Sequence, residues 1–169
     1  YFQDRDELVR AIIAHKQLKI LPLFHIENIG KGDLDSRLSG LVDSRLRVYD
    51  AIGATARAMA IKASSDPVIS EQIQFRKSVF REQIEVNFRQ EFGRMTSPQR
   101  NNSLNAIDAL TQLDALDRFH VDLQLSLDET RELLIASIQA LHTTRRHGHD
   151  GYGKSGNLGR WRAGYGDRR

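Results

Sequence analysis

The sequence predicts an all-α protein, a helical bundle of about five to six helices. Three observations point there. Apolar residues return at spacings of three and four along most of the chain, β-type alternation is found nowhere, and each of the three prolines falls at the edge of an apolar helical stripe. At 169 residues the chain is long enough to bury a core. It has no cysteine, which excludes disulfides, thiolate metal sites and thiol chemistry. No apolar run reaches the roughly 18–20 residues of a membrane span and no secretory segment opens the chain, so a cytoplasmic location is expected.

Asp4 with Glu7 forms a capping-box pattern, and the first helix is expected to run to about Leu21, where Pro22 stops it. The loop LFHIENIGKGD follows. From Asp35 the residues Leu38, Leu41, Val42, Tyr49, Ile52, Ala56 and Met59 hold one stripe as far as Ala63. That stripe passes Gly53 in phase, giving one long helix or two nearly collinear ones. Asp66-Pro67 reads as N-cap and first helical position, and Ser97-Pro98 repeats the device. Ser126 with Glu129 is a second capping box, opening a last helix that runs to about Arg145.

The helix from Pro67 to about Phe92 has two apolar stripes, Val68, Phe75, Val79 and Val86 on one side and Ile69, Ile73, Phe80, Ile84 and Phe88 on the other. Such a helix packs against neighbours on two sides. Gln72, Arg76, Gln83, Asn87 and Gln90 lie between the stripes. Polar groups in that position either snorkel at the rim of the packing face or anchor a ligand in a pocket. Candidate pocket residues are Tyr49, Met59, Arg76, Phe80, Gln83, Asn87 and Phe88, with Asp108 and Thr111 from the penultimate helix. Arg76 and the amides suit a ligand with a carbonyl or acidic group.

In the penultimate helix Leu104, Ile107, Leu110, Leu113, Leu116 and Phe119 recur every three residues, so their stripe winds around the axis. The last helix adds a face with small members, Leu133, Ala136 and Ala140, which allow close helix–helix approach. Both features are met by pairing the two helices with their copies across a two-fold axis. Leu104, Leu110, Leu113, Leu133, Ala136 and Ala140 are the expected homodimer contacts.

The formal charge is +3, from 25 Lys+Arg and 22 Asp+Glu. All of that excess lies in residues 147–169, which hold seven of the 12 glycines, and the body before them is neutral. Such a tail is expected to be flexible, and Tyr152, Trp161 and Tyr165 make it a conceivable stacking arm for nucleic acid. No metalloprotease, di-iron, phosphate-loop, dinucleotide or serine-hydrolase motif occurs. The chain is therefore expected to be no enzyme, with no cofactor and no metal. Asp117 and His120, one helical turn apart, are the weak exception.

The opening YFQDRDEL resembles a signature of the tetracycline-repressor (TetR) family of bacterial regulators. There an aromatic pair, a short polar turn with a basic residue, an acidic residue and a leucine join the recognition helix to the next helix. The matching residues are Tyr1-Phe2, Gln3-Asp4-Arg5, Asp6 or Glu7, and Leu8. The stretch DPVISEQIQFRKSVFREQIEVNF looks like the family's long seventh helix. NAIDALTQLDALDRFHVDLQLSLDETRELLIASIQALH looks like its last two, dimer-building helices.

The resemblance covers residues 1–144 and leaves the tail unexplained. Family members carry about 45 residues of helix-turn-helix domain before the Tyr-Phe motif, and this chain starts at that motif. The resemblance therefore implies that residues 1–3 end a DNA-binding domain lying outside the chain. It makes 4–146 an effector-binding and dimerisation domain, with 147–169 as tail. Tyr1 and Arg5 are the positions it implies for DNA phosphate contact. The implied function is a ligand-responsive transcriptional regulator, read as a repressor, whose partners are a second copy of itself, operator DNA and a small-molecule effector. The alternative is a helical small-molecule-binding or scaffold dimer with no DNA role.

Overall fold

A computed structural model of the chain describes Glu7, Leu8, Ala11 and residues 21–143. Glu7, Leu8 and Ala11 are helical. The rest of the expected first helix, the phosphate-contact candidates Tyr1 and Arg5, and the tail 147–169 lie outside the described residues. From Leu21 onward the described residues form six helices: α1 (Leu34–Lys62), α2 (Pro67–Asn87), α3 (Arg89–Phe92), α4 (Ser97–Thr111), α5 (Leu113–Asp117) and α6 (Leu127–Thr143). A 3-10 turn, Leu21–Phe24, precedes α1, and a π turn, Arg118–Asp122, follows α5. The all-α expectation holds. None of these helices is long and apolar enough to cross a membrane.

The caps follow the sequence closely. Asp66 accepts the Val68 and Ile69 amides at 3.0 and 3.3 Å, with Pro67 in the first turn. Ser126 and Glu129 form the reciprocal box that opens α6, with the Ser126 N–H donating to Glu129 Oε2 at 2.8 Å and the Glu129 N–H to Ser126 Oγ at 3.2 Å. Two starts move by one or two residues. Asp33 caps α1 by accepting the Ser36 amide at 2.7 Å. Thr96 takes the role expected of Ser97, because Gln99 three residues on closes a capping box with it.

α1 is one unbroken helix of 29 residues. It passes Gly53 because the Tyr49 ring lies over that residue; a Cβ there would sit 2.8 Å from Tyr49 Cε2. This helix packs on α2, α5, α6 and the 3-10 turn, while α4 closes the far side against α2, α5 and α6. Leu38, Leu41, Val42 and Val48 of α1 meet Phe80, Ile84 and Phe88 of α2 and Leu134 and Ile138 of α6 in one core. Burying such side chains is worth roughly 1.5–3 kcal/mol each.

The expected helix to Phe92 stops at Asn87 for a definite reason. Arg37, buried in the first turn of α1, donates through Nη1 to the Asn87 carbonyl and forks onto Glu91 at 2.8 and 2.6 Å. Phe88 leaves helical geometry at φ −108°, ψ 21°, and α3 resumes with Glu91 turned toward Arg37. Asn87 answers with its side chain, donating from Nδ2 to the Arg37 carbonyl at 2.9 Å and accepting the Gly30 amide at 3.1 Å. Gly30 has φ +74°, and a Cβ on it would lie 2.9 Å from the Val86 carbonyl oxygen. Only glycine fits there.

The penultimate helix is not continuous. Gln112 is extended at φ −73°, ψ 153°, splitting it into α4 and α5. The π turn then adds a second phase change, with the Leu123 N–H donating five residues back to the Arg118 carbonyl at 3.1 Å. These two breaks account for the winding stripe. Leu104 and Ile107 before the break, and Leu113 and Leu116 after it, all turn into the subunit's own core. Leu104 and Leu113 are therefore corrected from interface to core residues, and Leu110 is half-buried against the same core.

Gly30→Ala is expected to lose about 1–3 kcal/mol of stability in urea unfolding, from a strained φ and the contact with the Val86 carbonyl. An unchanged midpoint would show that the loop is free to move away from α2.

Candidate functional site

The residues nominated from sequence fall into three places. Asn87 and Phe88 belong to the clasp around Arg37. Phe88 is fully buried between Phe92 and His142 at ring-centroid distances of 6.1 and 5.1 Å. Both ends of the Asn87 amide bond backbone groups, so the residue holds the loop to α1 and α2.

Tyr49 of α1 meets α5 and the π turn after it. Its hydroxyl donates to Asp117 Oδ1 at 3.1 Å, and its ring stacks on His120 at 4.8 Å. Arg57 grips the same carboxylate through Nε and Nη2. Hydrogen bonds from Arg57 hold the Asp117 carboxyl below its ordinary value, while burial and the Asp117 contact push the Tyr49 phenol up. His120 Nδ1 lies 2.6 Å from the Leu125 carbonyl, and its Nε2 is buried without a partner. Asp117 and His120 thus tie the π turn to α1. Met59 is half-buried ten residues further along that helix from Tyr49, about 15 Å at 1.5 Å per residue.

The third place is the middle of α1 and α2. Phe80 is fully buried, and the Arg45 guanidinium lies over its ring at 3.8 Å. Arg45 Nη2 donates to the Phe80 carbonyl at 3.0 Å and Nη1 to Gln83 Oε1 at 2.7 Å. Gln83 Nε2 in turn donates to the Phe24 carbonyl at 2.6 Å, joining α2 to the 3-10 turn. Arg45 Nε has no partner, and burial pushes the guanidinium down to about 9. Asp108 is near enough to oppose that shift, but it accepts from Arg81 Nη1 at 3.2 Å and from Gln112 Nε2 at 2.6 Å.

Thr111 is buried and donates to the Ile107 carbonyl at 2.8 Å. Arg76, one turn before Phe80, is also buried with an unpartnered Nε, and desolvation lowers its pKa. Among the described residues no group of three or more acidic or histidine side chains is set to hold a metal.

Arg45 was missed in the sequence, although a signal was present. It falls in phase with Leu38, Val42 and Tyr49, so an arginine stood inside an apolar stripe. Beside it, on the solvent side of Gln83, a groove of about 340 Å³ runs between the loop after the 3-10 turn and α2. Ile26, Ile29, Val79 and Val86 wall it, with His25, Glu82 and Gln83 also lining it. The other apolar stripe expected on α2 is thus only partly covered, and Phe75 remains 50% exposed.

Comparison of the chain with protein-family models, curated proteins and solved structures finds no match.

Two outcomes follow from the site's bonding. Asn87→Leu is expected to cost about 2–3 kcal/mol in urea unfolding, because it leaves the Gly30 amide and the Arg37 carbonyl without partners; a loss below about 0.5 kcal/mol would contradict the clasp. The second concerns acid. Burial raises the Glu91 carboxyl, but the Arg37 contacts outweigh it, so Glu91 and Asp117 both titrate below their ordinary values of 4.5 and 3.8. The unfolded chain binds those protons first. Stability should therefore be full above about pH 5 and fall as the pH drops through the ordinary carboxylate values and then the lower folded ones. Asp117→Asn should flatten that decline in unfolding curves recorded between pH 6 and 3.

Proposed function

We propose that this chain is the effector-binding and dimerisation region of a ligand-responsive, DNA-binding transcriptional regulator of the TetR type, acting as a repressor in the cytoplasm. The observation that carries the reading is the outer face of α6. Leu133 is 38% exposed, and Ala136 and Ala140 on the same side of the helix are exposed too. Val121 and Leu123, in the segment before α6, are 44% and 53% exposed. A face of small and apolar residues on the last described helix suits close packing against its own copy about a two-fold axis. Leu110 of α4 is half-buried against the core. Leu104 and Leu113 have no part in the proposed contact.

In this reading the effector enters the helical core beside α2 and biases the first helix, which leads toward DNA-reading helices encoded upstream of Tyr1. DNA half-sites recur about 34–36 Å apart, so a small change in separation of the two reading units is enough to release an operator. The buried, incompletely bonded Arg45 and Arg76 support an effector seat in that region.

Sedimentation at micromolar concentration is expected to give a dimer, and Leu133→Glu a folded monomer, since a charge at a closely packed two-fold contact meets its own copy. A monomeric parent protein overturns the interface. The DNA-binding part of the reading is tested separately, by whether the open frame upstream of Tyr1 encodes a helix-turn-helix; a start codon directly before Tyr1 sinks it.

A further inference from the structure

Two arginines of α1 are buried, and they differ in one respect. Arg37 has a carboxylate, Glu91, gripped by both ends of its fork. Arg45 is fully buried and has none within ion-pair distance among the described residues. Its hydrogen-bond acceptors are a neutral amide oxygen and a carbonyl, and its Nε is unpartnered. A guanidinium carries five donors and keeps its charge at neutral pH, so burial without an anion is costly unless something supplies one. Asp108, the acidic group felt at Arg45, is already bonded to Arg81 and Gln112.

The apolar groove reaches the same place. Gln83 accepts from Arg45 and also lines the groove. Turning the Gln83 side chain would release Arg45 Nη1 and open the guanidinium to the groove. The walls Ile26, Ile29, Val79 and Val86 offer hydrocarbon contact, and a volume of about 340 Å³ suits a small ligand.

We propose that this groove binds a small aliphatic carboxylate, its chain against Val79, Val86 and Ile29 and its carboxylate replacing Gln83 Oε1 on Arg45. The proposal rests on the effector-binding reading and names its ligand class. The ligand also acts on the fold. Gln83 holds the Phe24 carbonyl at 2.6 Å, and Phe24 packs edge-on against Phe80 at 5.6 Å. Displacing Gln83 loosens the turn Leu21–Phe24 from α2, at the point where the chain arrives from residues 1–20.

The test is calorimetric titration of the full chain with decanoate and, in parallel, with 1-decanol. Saturable one-to-one binding of decanoate is expected, with decanol weaker by about tenfold or more, the scale of a lost charge-assisted hydrogen bond. Arg45→Met should remove that preference. Val79→Glu, at a half-buried groove wall, should weaken decanoate about tenfold by setting a charge against its hydrocarbon chain while leaving cooperative unfolding intact, which tests the groove even if the Arg45 variant fails to fold. Equal affinity for acid and alcohol, indifference to Val79→Glu, or no binding at millimolar decanoate each overturns the proposal. None of these readouts involves DNA. A chain that binds decanoate but lacks an upstream helix-turn-helix keeps this inference and loses the regulator; a dimeric DNA-binding protein indifferent to decanoate does the reverse.

Discussion

Two guanidinium groups sunk into one face of α1 set the terms for the rest of the molecule. A buried charge must be met by oriented oxygens, and those oxygens have to come from specific backbone and side-chain positions. Arg37 draws on the Gly32 and Asn87 carbonyls and on Glu91, so it fixes the loop before α1, the end of α2 and the start of α3 together. Arg45 takes the Phe80 ring and carbonyl and the Gln83 amide, so it fixes the middle of α2. α1 also packs on α5 and α6, and these local demands become the register of the bundle.

Helix class, cap positions and most of the core were legible in the sequence because they rest on local rules. Asp66-Pro67 and Ser126/Glu129 act within one turn, and nothing distant competes with them. The two arginines are less legible, since arginine usually marks solvent; Arg45 shows only by its phase within an apolar stripe, and the partner that fixes Arg37 is distant in sequence. Glu91 is 54 residues from Arg37. Asn87 shows the opposite error. Its place between two apolar stripes suggested a ligand anchor, yet its bonds go to Gly30 and Arg37. The period-three run from Leu104 to Phe119 predicts a continuous helix with a winding stripe, and the structure divides it. One extended residue at Gln112 and a wider turn at Arg118–Asp122 turn its residues inward without help from another subunit.

The candidate site and the connection to the chain's beginning share a side chain. Gln83 lies between a buried cation, a groove and the turn before α1. Under the proposal, a residue so placed converts occupancy of the groove into a change of tether, because a stronger acceptor on Arg45 displaces the side chain that holds the Phe24 carbonyl. Such coupling needs no rearrangement of the hydrophobic core, only a shift between two bonding arrangements of similar energy. The α6 face stands apart from this groove, so the proposed association and the proposed ligand response draw on separate surfaces.

The segment from Gln112 to Asp122 also bears on how related chains can vary in length. In an unbroken helix, inserting or deleting one residue rotates everything downstream by about 100°, which would throw an apolar stripe out of the core. Here an extended residue and a π turn already separate three short stretches whose phases are set independently. A π turn is in effect an α turn that has absorbed one extra residue. Descendants of this sequence could gain or lose a residue between α4 and α6 and still seat Leu116 and Leu134, whereas α1, with both buried arginines on a single continuous axis, has no such slack.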